Sequence, residues 1–214
     1  MKILNALVPG VDELFFLQSG EFTFLGSPIT VSRSGYTGED GFEVSISKLD
    51  VRKFVEALFN YQDVSLVGLG ARDALRLEAG LCLYGQDLSK DVTPVEASLS
   101  WVISKRRREE GNFPGFKIIN EQLVNGIKKC RVGISPFGKA PARAGCEIFV
   151  NGDRKIGSIT SGGYSPTLER PIAMGYVEEA FSKIGTEVLL SVRGKYLPAK
   201  IVNLPFVSPK YFRK

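Results

Sequence analysis

Histidine is absent from the 214 residues of this chain. Ser-His-Asp and Cys-His catalysis need an imidazole, and most transition-metal sites use one as a ligand. These chemistries are therefore almost entirely excluded, and no metal is expected. Carboxylates, arginine, lysine, tyrosine and backbone groups remain as functional groups, alone or together with a bound cofactor.

Cysteine is scarce, and long apolar runs are missing. Cys82, Cys130 and Cys146 are widely spaced and form no C-x-x-C pair, which disfavours a disulfide framework or a thiolate metal site and indicates reduced thiols. No apolar run approaches the roughly 20 residues that a membrane-spanning helix needs. Pro9 and Gly10 interrupt the apolar start of the chain, so we expect no signal peptide and no export.

The overall composition is that of a folded globular protein. Apolar residues make up 43% of the chain and charged residues 24%, and this length suits one large domain or two small ones. The net charge of +5 is too small to indicate nucleic-acid binding without clustered basic and aromatic residues. An anionic ligand or an acidic partner protein explains it equally well.

The first half of the chain mixes strand and helix patterns. A short amphipathic helix is expected before Pro9, with Leu4 and Val8 on its apolar face. The segments that follow are strand-like residues 21–25, 29–33 and 42–46, then helical residues 51–60 and 71–79. A turn at residues 26–28 predicts an antiparallel hairpin. Asp50 can cap the helix over residues 51–60, whose expected apolar face is formed by Val51, Phe54, Val55 and Leu58.

The second half of the chain is predicted to fold mainly into β-strands. Its short strand-like runs cover residues 130–134, 147–150, 156–160, 173–177, 187–192 and 196–202. Short strands at even spacing predict a small barrel or sandwich. We expect an α+β domain at residues 1–112, a linker with a short helix at residues 113–128, and a β domain at residues 129–214.

A glycine-rich turn at residues 35–41 is the first candidate site. Such turns can hold phosphate, but a strand follows this one, and Glu39, Asp40 and Glu43 would repel an anion. A tight turn with surface carboxylates is the ordinary interpretation. Alternation directs Glu43 away from its apolar neighbours, so it faces a pocket only if a second layer covers that side.

The second candidate is a pair of arginines. Arg72 and Arg76 are four residues apart, hence on one helix face. In the ordinary interpretation they are surface charges, each of which contributes a few tenths of a kcal/mol to the stability of the fold.

A basic run follows Trp101, which by default is a core residue. Its members are Lys105, Arg106, Arg107 and Arg108. The run is expected to be a solvated patch, suited to a polycarboxylate or an acidic protein.

Taken in order, several longer runs resemble the aminomethyltransferase family. They are SRSGYTGEDGFE at 32–43, GLGARDALRLEAGL at 68–81, LYG at 83–85, TPVE at 93–96, SW at 100–101, IGSITSGGYSP at 156–166 and AMGYV at 173–177. The resemblance covers essentially the whole chain. It implies an α+β fold, in which part of an antiparallel-sheet and helix folate-binding domain is followed by a small all-β barrel.

The resemblance also implies roles for individual residues. Glu43 would accept hydrogen bonds from the pterin ring of tetrahydrofolate, where a carboxylate can receive adjacent N–H donors. Arg72 would donate to the pterin, and Tyr36 and Trp101 would line the folate cavity with aromatic surface.

The activity implied is that of the T-protein of the glycine cleavage system. The family passes the methylene of an aminomethyl group, carried on the lipoyl arm of the H-protein, to tetrahydrofolate and releases ammonia. Tetrahydrofolate would be a co-substrate, the lipoylated H-protein the partner, and the run at residues 105–108 its landing surface. Nucleic acid, metal and membrane play no part in this reading, and the compartment would be bacterial cytoplasm or mitochondrial matrix.

The chain departs from the family pattern at its start. Family members are longer, and their key aspartate lies in an N-terminal part that is not found here, so the catalytic residue is unknown. Asp40 and Asp73 belong to other matched motifs. A fragment, one half of a split enzyme that pairs with an N-terminal half, and a decayed or mis-started gene product all fit, and activity of the chain alone stays open.

Two alternatives stand beside the T-protein reading. One is a non-catalytic module that binds folate or a carrier protein. The other is the C-terminal part of a related folate-binding protein, either a dimethylglycine or sarcosine dehydrogenase-like protein or a folate-dependent protein of tRNA modification.

Overall fold

A computed structural model describes residues 1–213. The chain divides into two compact units, one formed by Met1–Leu75 with the residues from Ser208 onward, the other by Arg76–Val207. The chain therefore passes between the first unit and the second unit twice, after residue 75 and after residue 207.

The first unit combines a three-stranded sheet with helices. Its elements are α1 (Lys2–Leu7), a short 3-10 helix (Val11–Glu13), β1 (Ser19–Phe24), β2 (Ser27–Ser32), β3 (Glu43–Ser45) and α2 (Val51–Phe59). Helix α3 (Leu69–Glu78) begins in the first unit and ends in the second. The sheet order is β1-β2-β3, with both pairs antiparallel. Its core includes Leu4 and Val8, which confirms the predicted apolar face of α1.

The hairpin of β1 and β2 is confirmed, but its turn is shorter than the sequence suggests. Phe24 pairs with Ser27, so only Leu25 and Gly26 form the loop, with φ of 49° and 84°. Two consecutive left-handed residues produce a two-residue turn whose twist matches that of the strands. Ser27 and Pro28, expected in the turn, lie in β2 instead.

Helix α2 is confirmed, although its buried face is narrower than predicted. Phe54 is buried and meets the Phe24 ring edge-on at 5.0 Å. Val51 and Val55, expected on the apolar face, remain 40% and 37% exposed. Asp50 precedes the helix but makes no capping hydrogen bond with its side chain.

The second unit is dominated by a closed barrel. Its strands are β4 (Lys129–Pro136), β5 (Glu147–Val150), β6 (Arg154–Ser165), β7 (Arg170–Glu178), β8 (Glu187–Val192) and β9 (Lys195–Val202), preceded by α4 (Lys105–Glu110) and α5 (Phe116–Asn125). Around the barrel the order is β4-β7-β6-β5-β8-β9. Every predicted strand lies within an observed one, and the barrel is confirmed over the sandwich.

Glycines permit the close approach of neighbouring backbone in the barrel wall. A Cβ built on Gly162 would overlap the carbonyl oxygen of Ala142, and one on Gly157 would overlap that of Tyr176. No L side chain fits at either position without moving the backbone, so packing accounts for the glycines at these two positions of the IGSITSGG run.

A buried polar network links α3 to the barrel within the second unit. Arg76 and Asp87 are each 1% exposed and pair at 2.8 Å. Asp87 also accepts hydrogen bonds from Thr160, Ser161 and the Leu83 amide. The interpretation of Arg76 as an ordinary surface charge is therefore wrong, because its side chain is buried. The sequence pattern does not show this, since the partners of Arg76 come from distant segments.

Two further buried charges tie loops to the barrel. Glu78 accepts hydrogen bonds from the Ser165 and Thr167 side chains at 2.5 and 2.7 Å. Arg131 of β4 donates to the carbonyl oxygens of Gly80 and Ala97, both at 2.9 Å. The segment between α3 and α4 is thus held by charge-assisted hydrogen bonds, which are stronger than neutral ones.

Within the part of the chain that the structure describes, no helix is both long and apolar enough to span a membrane. Cys82, Cys130 and Cys146 form no disulfide bond within residues 1–213. Burial raises the pKa of the Cys82 and Cys130 thiols, so these two are poor nucleophiles at neutral pH.

Candidate functional site

The glycine turn is anchored at its base by an ion pair between a buried guanidinium, that of Arg33, and the carboxylate of Asp40, whose side chain is 30% exposed. Arg33, 1% exposed, donates Nε to Oδ1 and Nη2 to Oδ2 of Asp40 at 2.8 and 2.7 Å. Its Nη1 donates to the Leu14 carbonyl at 2.7 Å. The hydrogen bond from Arg33 lowers the pKa of the Asp40 carboxyl below its ordinary value. Asp40 thus lies at the surface, as the sequence suggested, but both of its oxygens accept hydrogen bonds from Arg33.

Glu43 begins β3 immediately after the turn. Phe42, Val44 and Ile46 pack against the core of the first unit, while Glu43 is exposed on the other face, as the alternation predicts. The Ser34 hydroxyl donates to Oε2 of Glu43 at 2.6 Å. Among residues 1–213, no hydrogen bond reaches Oε1 of this carboxylate, so it can accept further donors.

Tyr36 and Arg72 meet although they are far apart in the chain. The Arg72 guanidinium lies 4.9 Å from the centre of the Tyr36 ring, a cation–π contact worth about 0.5–1 kcal/mol at an exposed position. Tyr36 comes from the glycine turn and Arg72 from the first turn of α3. Tyr36, Glu43 and Arg72 all belong to the first unit.

Trp101 lies in the second unit, in a short 3-10 helix, Ser100–Val102. Its side chain is 73% exposed, so the default assignment to the core is wrong. The exposed ring offers aromatic surface to solvent. A role in ligand binding stays a prediction.

The basic run forms the first part of α4, also in the second unit. It is solvent-exposed, as expected, but its charge is partly paired within the helix. Lys105 pairs with Glu109 at 3.8 Å and Arg106 with Glu110 at 2.9 Å. The guanidinium groups of Arg107 and Arg108 instead donate to backbone carbonyls at the helix ends. The field of this patch is therefore weaker than four unpaired cations would produce.

The acidic and sulfur-bearing groups form no metal-type cluster. Within residues 1–213, no three Cys, Asp or Glu side chains are grouped so that they could hold an ion. The candidate residues are thus one carboxylate that can accept further donors, on Glu43, and the guanidinium of Arg72 in contact with the Tyr36 ring; that the three share one ligand site stays a prediction. Such a set suits a flat ligand with adjacent N–H donors.

Comparisons with known proteins agree over most of the chain. Residues 1–107 match the family model of the GCVT N-terminal domain, and residues 129–208 match that of the glycine cleavage T-protein C-terminal barrel domain. A mitochondrial aminomethyltransferase of Dictyostelium discoideum is 48% identical, over 98% of this chain and 54% of the relative. One from Solanum tuberosum is 46% identical, over 94% of this chain and 51% of the relative.

A solved structure has the same fold. The glycine cleavage system aminomethyltransferase T from Bartonella henselae superposes with a TM-score of 0.92 at 44% identity, over 99% of this chain and 58% of that one. The chain thus spans about half the length of the curated relatives that it matches. The matched domains, the high identity and the common fold establish that the chain belongs to the aminomethyltransferase family, the T-proteins of the glycine cleavage system.

Proposed function

We propose that this chain binds tetrahydrofolate through the group formed by Tyr36, Glu43 and Arg72. It would thereby serve the glycine cleavage reaction, in which the methylene of an aminomethyl-lipoyl H-protein passes to tetrahydrofolate and ammonia is released. Relatives at 46–48% identity are named aminomethyltransferases, which supports this reaction class. The available carboxylate of Glu43 is the single observation that carries the choice of ligand.

Glu43 fits the hydrogen-bonding edge of a pterin. The Ser34 hydroxyl holds Oε2 from one side, which fixes the carboxylate without using its whole accepting capacity. An ionised carboxylate has roughly four lone-pair sites. Two adjacent N–H groups can therefore be received in a fork, a charge-assisted geometry that distinguishes a pterin from a ligand with only acceptors on that edge.

Tyr36 and Arg72 fit the plane of the same ligand. Arg72 already lies over the Tyr36 ring at 4.9 Å, so one cation and one aromatic face are preorganised together. A guanidinium keeps free donors while it stacks, and these can reach ligand oxygen or nitrogen acceptors. Less side-chain entropy is then lost on binding than for two unrestrained side chains.

The chemistry of transfer would come from the ligand. Bound tetrahydrofolate supplies the nitrogen that accepts the methylene, and the chain orients it. Asp40 is unsuited to act as a general base, because its pKa is lowered and both oxygens accept from Arg33. The catalytic residue is therefore left unassigned within this chain.

Replacing Glu43 by glutamine tests the ligand assignment. Glu43→Gln keeps the shape but loses the charge and one acceptor, so Kd for tetrahydrofolate is expected to rise about 10-fold. Anaerobic isothermal titration calorimetry measures it. Glu21→Gln is the matched control, since Glu21 is an exposed carboxylate of the same sheet that accepts one hydroxyl, from Thr30. Equal affinities for wild type and Glu43→Gln would refute the assignment.

Helix α4 is proposed as the landing surface of the lipoylated carrier. The Arg106→Glu/Arg107→Glu double replacement should weaken carrier binding about 10-fold at low ionic strength and less at 0.5 M salt, because screening removes long-range attraction. Surface plasmon resonance at both salt concentrations measures this. Lys195→Glu/Lys200→Glu on β9 is the control with the same charge change. Unchanged carrier affinity at low salt would remove α4 from the proposal.

A non-catalytic binding module is the second candidate. The carboxylate of Glu43, which can accept further donors, favours it, since a ligand site needs no catalytic residue and none is assigned in this chain. An assay of tetrahydrofolate-dependent ammonia release from the aminomethyl-lipoyl H-protein separates the two, because only a catalytic chain transfers the methylene. Tetrahydrofolate binding that depends on Glu43, without ammonia release, selects the module. The names of the relatives speak for a T-protein over a dehydrogenase or a tRNA-modifying protein.

The compartment is proposed by the same comparison. The eukaryotic relatives are named mitochondrial, which supports a mitochondrial matrix setting for a eukaryotic source. For a bacterial source the proposal is the cytoplasm.

A further inference from the structure

We propose that the C-terminal tail, residues 208–213, is the positioning element of the candidate ligand site. The tail belongs to the first unit and contacts the glycine turn, residues 35–41, from which Tyr36 projects. The proposal rests on the proposed function for the identity of the ligand. The clamping of the turn by the tail stands on contacts within the first unit alone.

Backbone groups attach the tail at two places. The Lys210 amide donates to the carbonyl oxygen of Gly38 at 2.8 Å, and the Phe16 amide donates to that of Phe212 at 2.8 Å. The Lys210 ammonium also pairs with the Glu39 carboxylate at 3.1 Å. The first place is inside the glycine turn, so the tail adds a strand-like bridge to a segment that has few backbone partners of its own.

Aromatic rings hold the end of the tail. Tyr211 stacks on Phe16 with ring centres 3.9 Å apart and planes 10° apart. Phe212 lies parallel to Phe15 at 5.3 Å. Aromatic pairs stabilise a contact beyond the area that they bury. Two adjacent stacks therefore define the position of a segment that has no helix or extended strand of its own.

The tail also lies beside the Arg33–Asp40 ion pair. The Arg33 guanidinium lies 4.0 Å from the centre of the Phe212 ring and 5.1 Å from that of Phe42. The backbone of Phe212 also acts to lower the pKa of the Asp40 carboxyl. Gly38 and Glu39 therefore bond directly to the tail and Asp40 lies beside it, and these three consecutive residues lie between Tyr36 and Glu43 in the sequence.

These contacts hold residues 38–40 of the turn in place between Tyr36 and Glu43, the two proposed ligand-binding residues. Without the tail, the turn would gain conformational freedom that ligand binding would then have to remove. The bonds between the tail and the turn are made at Gly38 and Glu39, so the tail acts on the site through the backbone order of the turn. The sequence of residues 203–214 has no periodicity that predicts this role. The adjacent aromatic residues Tyr211 and Phe212 are the sequence feature that could indicate it.

The test replaces Phe212 by alanine in the full chain. Hydrogen exchange of the amides of residues 36–41 is expected to become about 10-fold faster, while exchange in β1 stays unchanged. Kd for tetrahydrofolate should rise about 3- to 10-fold. Phe212→Tyr, which keeps the ring, should restore both values. Phe149→Ala is the matched control, because it removes one ring of an aromatic pair in the barrel (Phe149–Tyr196, 5.3 Å) and should change neither.

Each outcome decides between the proposals. Unchanged exchange in the turn overturns the positioning role, whether or not folate binds. Faster exchange with unchanged Kd also overturns it, because the order that the tail gives to the turn would then have no effect on ligand affinity. If wild type binds no tetrahydrofolate, the proposed function fails, and the exchange data still decide whether the tail orders the turn. Should Phe212→Ala not fold, Lys210→Ala replaces it, with a 2- to 3-fold acceleration expected at Gly38 and Glu39.

Discussion

Replacing Asp87 by alanine is expected to lower the free energy of unfolding by about 3–5 kcal/mol. Arg76 and Asp87 are each 1% exposed and pair at 2.8 Å, so the replacement leaves a guanidinium charge in the interior without its counterion. The hydrogen bonds that Asp87 accepts from Thr160, Ser161 and the Leu83 amide are lost as well. The cost is mainly that of a buried charge and buried donors left unpaired, which exceeds the net value of the original pair.

Urea denaturation of wild type and Asp87→Ala at pH 7, followed by circular dichroism, measures this loss. Glu178→Ala is the control, since it breaks an ion pair of the same type, Arg154–Glu178 at 2.7 Å, whose side chains are 57% and 43% exposed. That change should cost less than about 1 kcal/mol. The double replacement Arg76→Met/Asp87→Leu should recover part of the loss, because no charge is then buried. Similar losses for Asp87→Ala and Glu178→Ala would contradict the argument.

Replacing Asp40 by asparagine is expected to lower the free energy of unfolding by about 2 kcal/mol at pH 7. The hydrogen bond from Arg33 lowers the pKa of Asp40, so the carboxylate stabilises the fold while it is ionised. Arg33 keeps its hydrogen bond to the Leu14 carbonyl, which is why the expected cost is smaller than for Asp87.

The same pair predicts a specific dependence on pH. A carboxyl with a lowered pKa contributes its full stabilisation above the ordinary pKa of aspartate, about 3.9, and loses it as the pH falls through the folded-state value. The difference in unfolding free energy between wild type and Asp40→Asn should therefore be constant from pH 7 to 5 and shrink below about pH 4. Asp12 and the amino terminus also act on this pair, so both proteins are compared at the same ionic strength. If the difference in unfolding free energy stays constant down to pH 2.5, the ionised carboxylate of Asp40 does not stabilise the fold.

The barrel could be predicted from the sequence because its information is local. Each strand of the second unit is a short strand-like run with turn residues near it, and such a run can be recognised without knowledge of the strand with which it pairs. Closure into a barrel instead depends on β4 pairing with both β7 and β9. Those pairings join distant residues, so the sequence left barrel and sandwich open until the family resemblance was considered.

The buried charges could not be predicted in the same way. Arg76 and Arg72 share a helix and a residue type, yet Arg76 is 1% exposed and Arg72 is exposed over a tyrosine ring. Arg76 also donates to Ser161, 85 residues further along the chain. Helical periodicity states which residues share a face but not what covers that face.

The candidate site was predictable in part. Alternation along β3 gave the direction of Glu43, because that rule needs only neighbouring residues. The contact between Tyr36 and Arg72 depends on how α3 and the glycine turn pack in the first unit, and the exposure of Trp101 depends on the path of residues 92–103. The roles of these residues came from the family resemblance and stay predictions.

The two sheets differ in one respect that bears on handling the protein. The barrel of the second unit closes on itself, so β4–β9 leave no strand with an unpaired side. In the first unit, β1 and β3 are terminal strands of an open three-stranded sheet, and terminal strands are templates for pairing with another molecule. Self-association and aggregation at high concentration should therefore begin at β1 or β3, and charged substitutions there, rather than in the barrel, are the way to improve solubility.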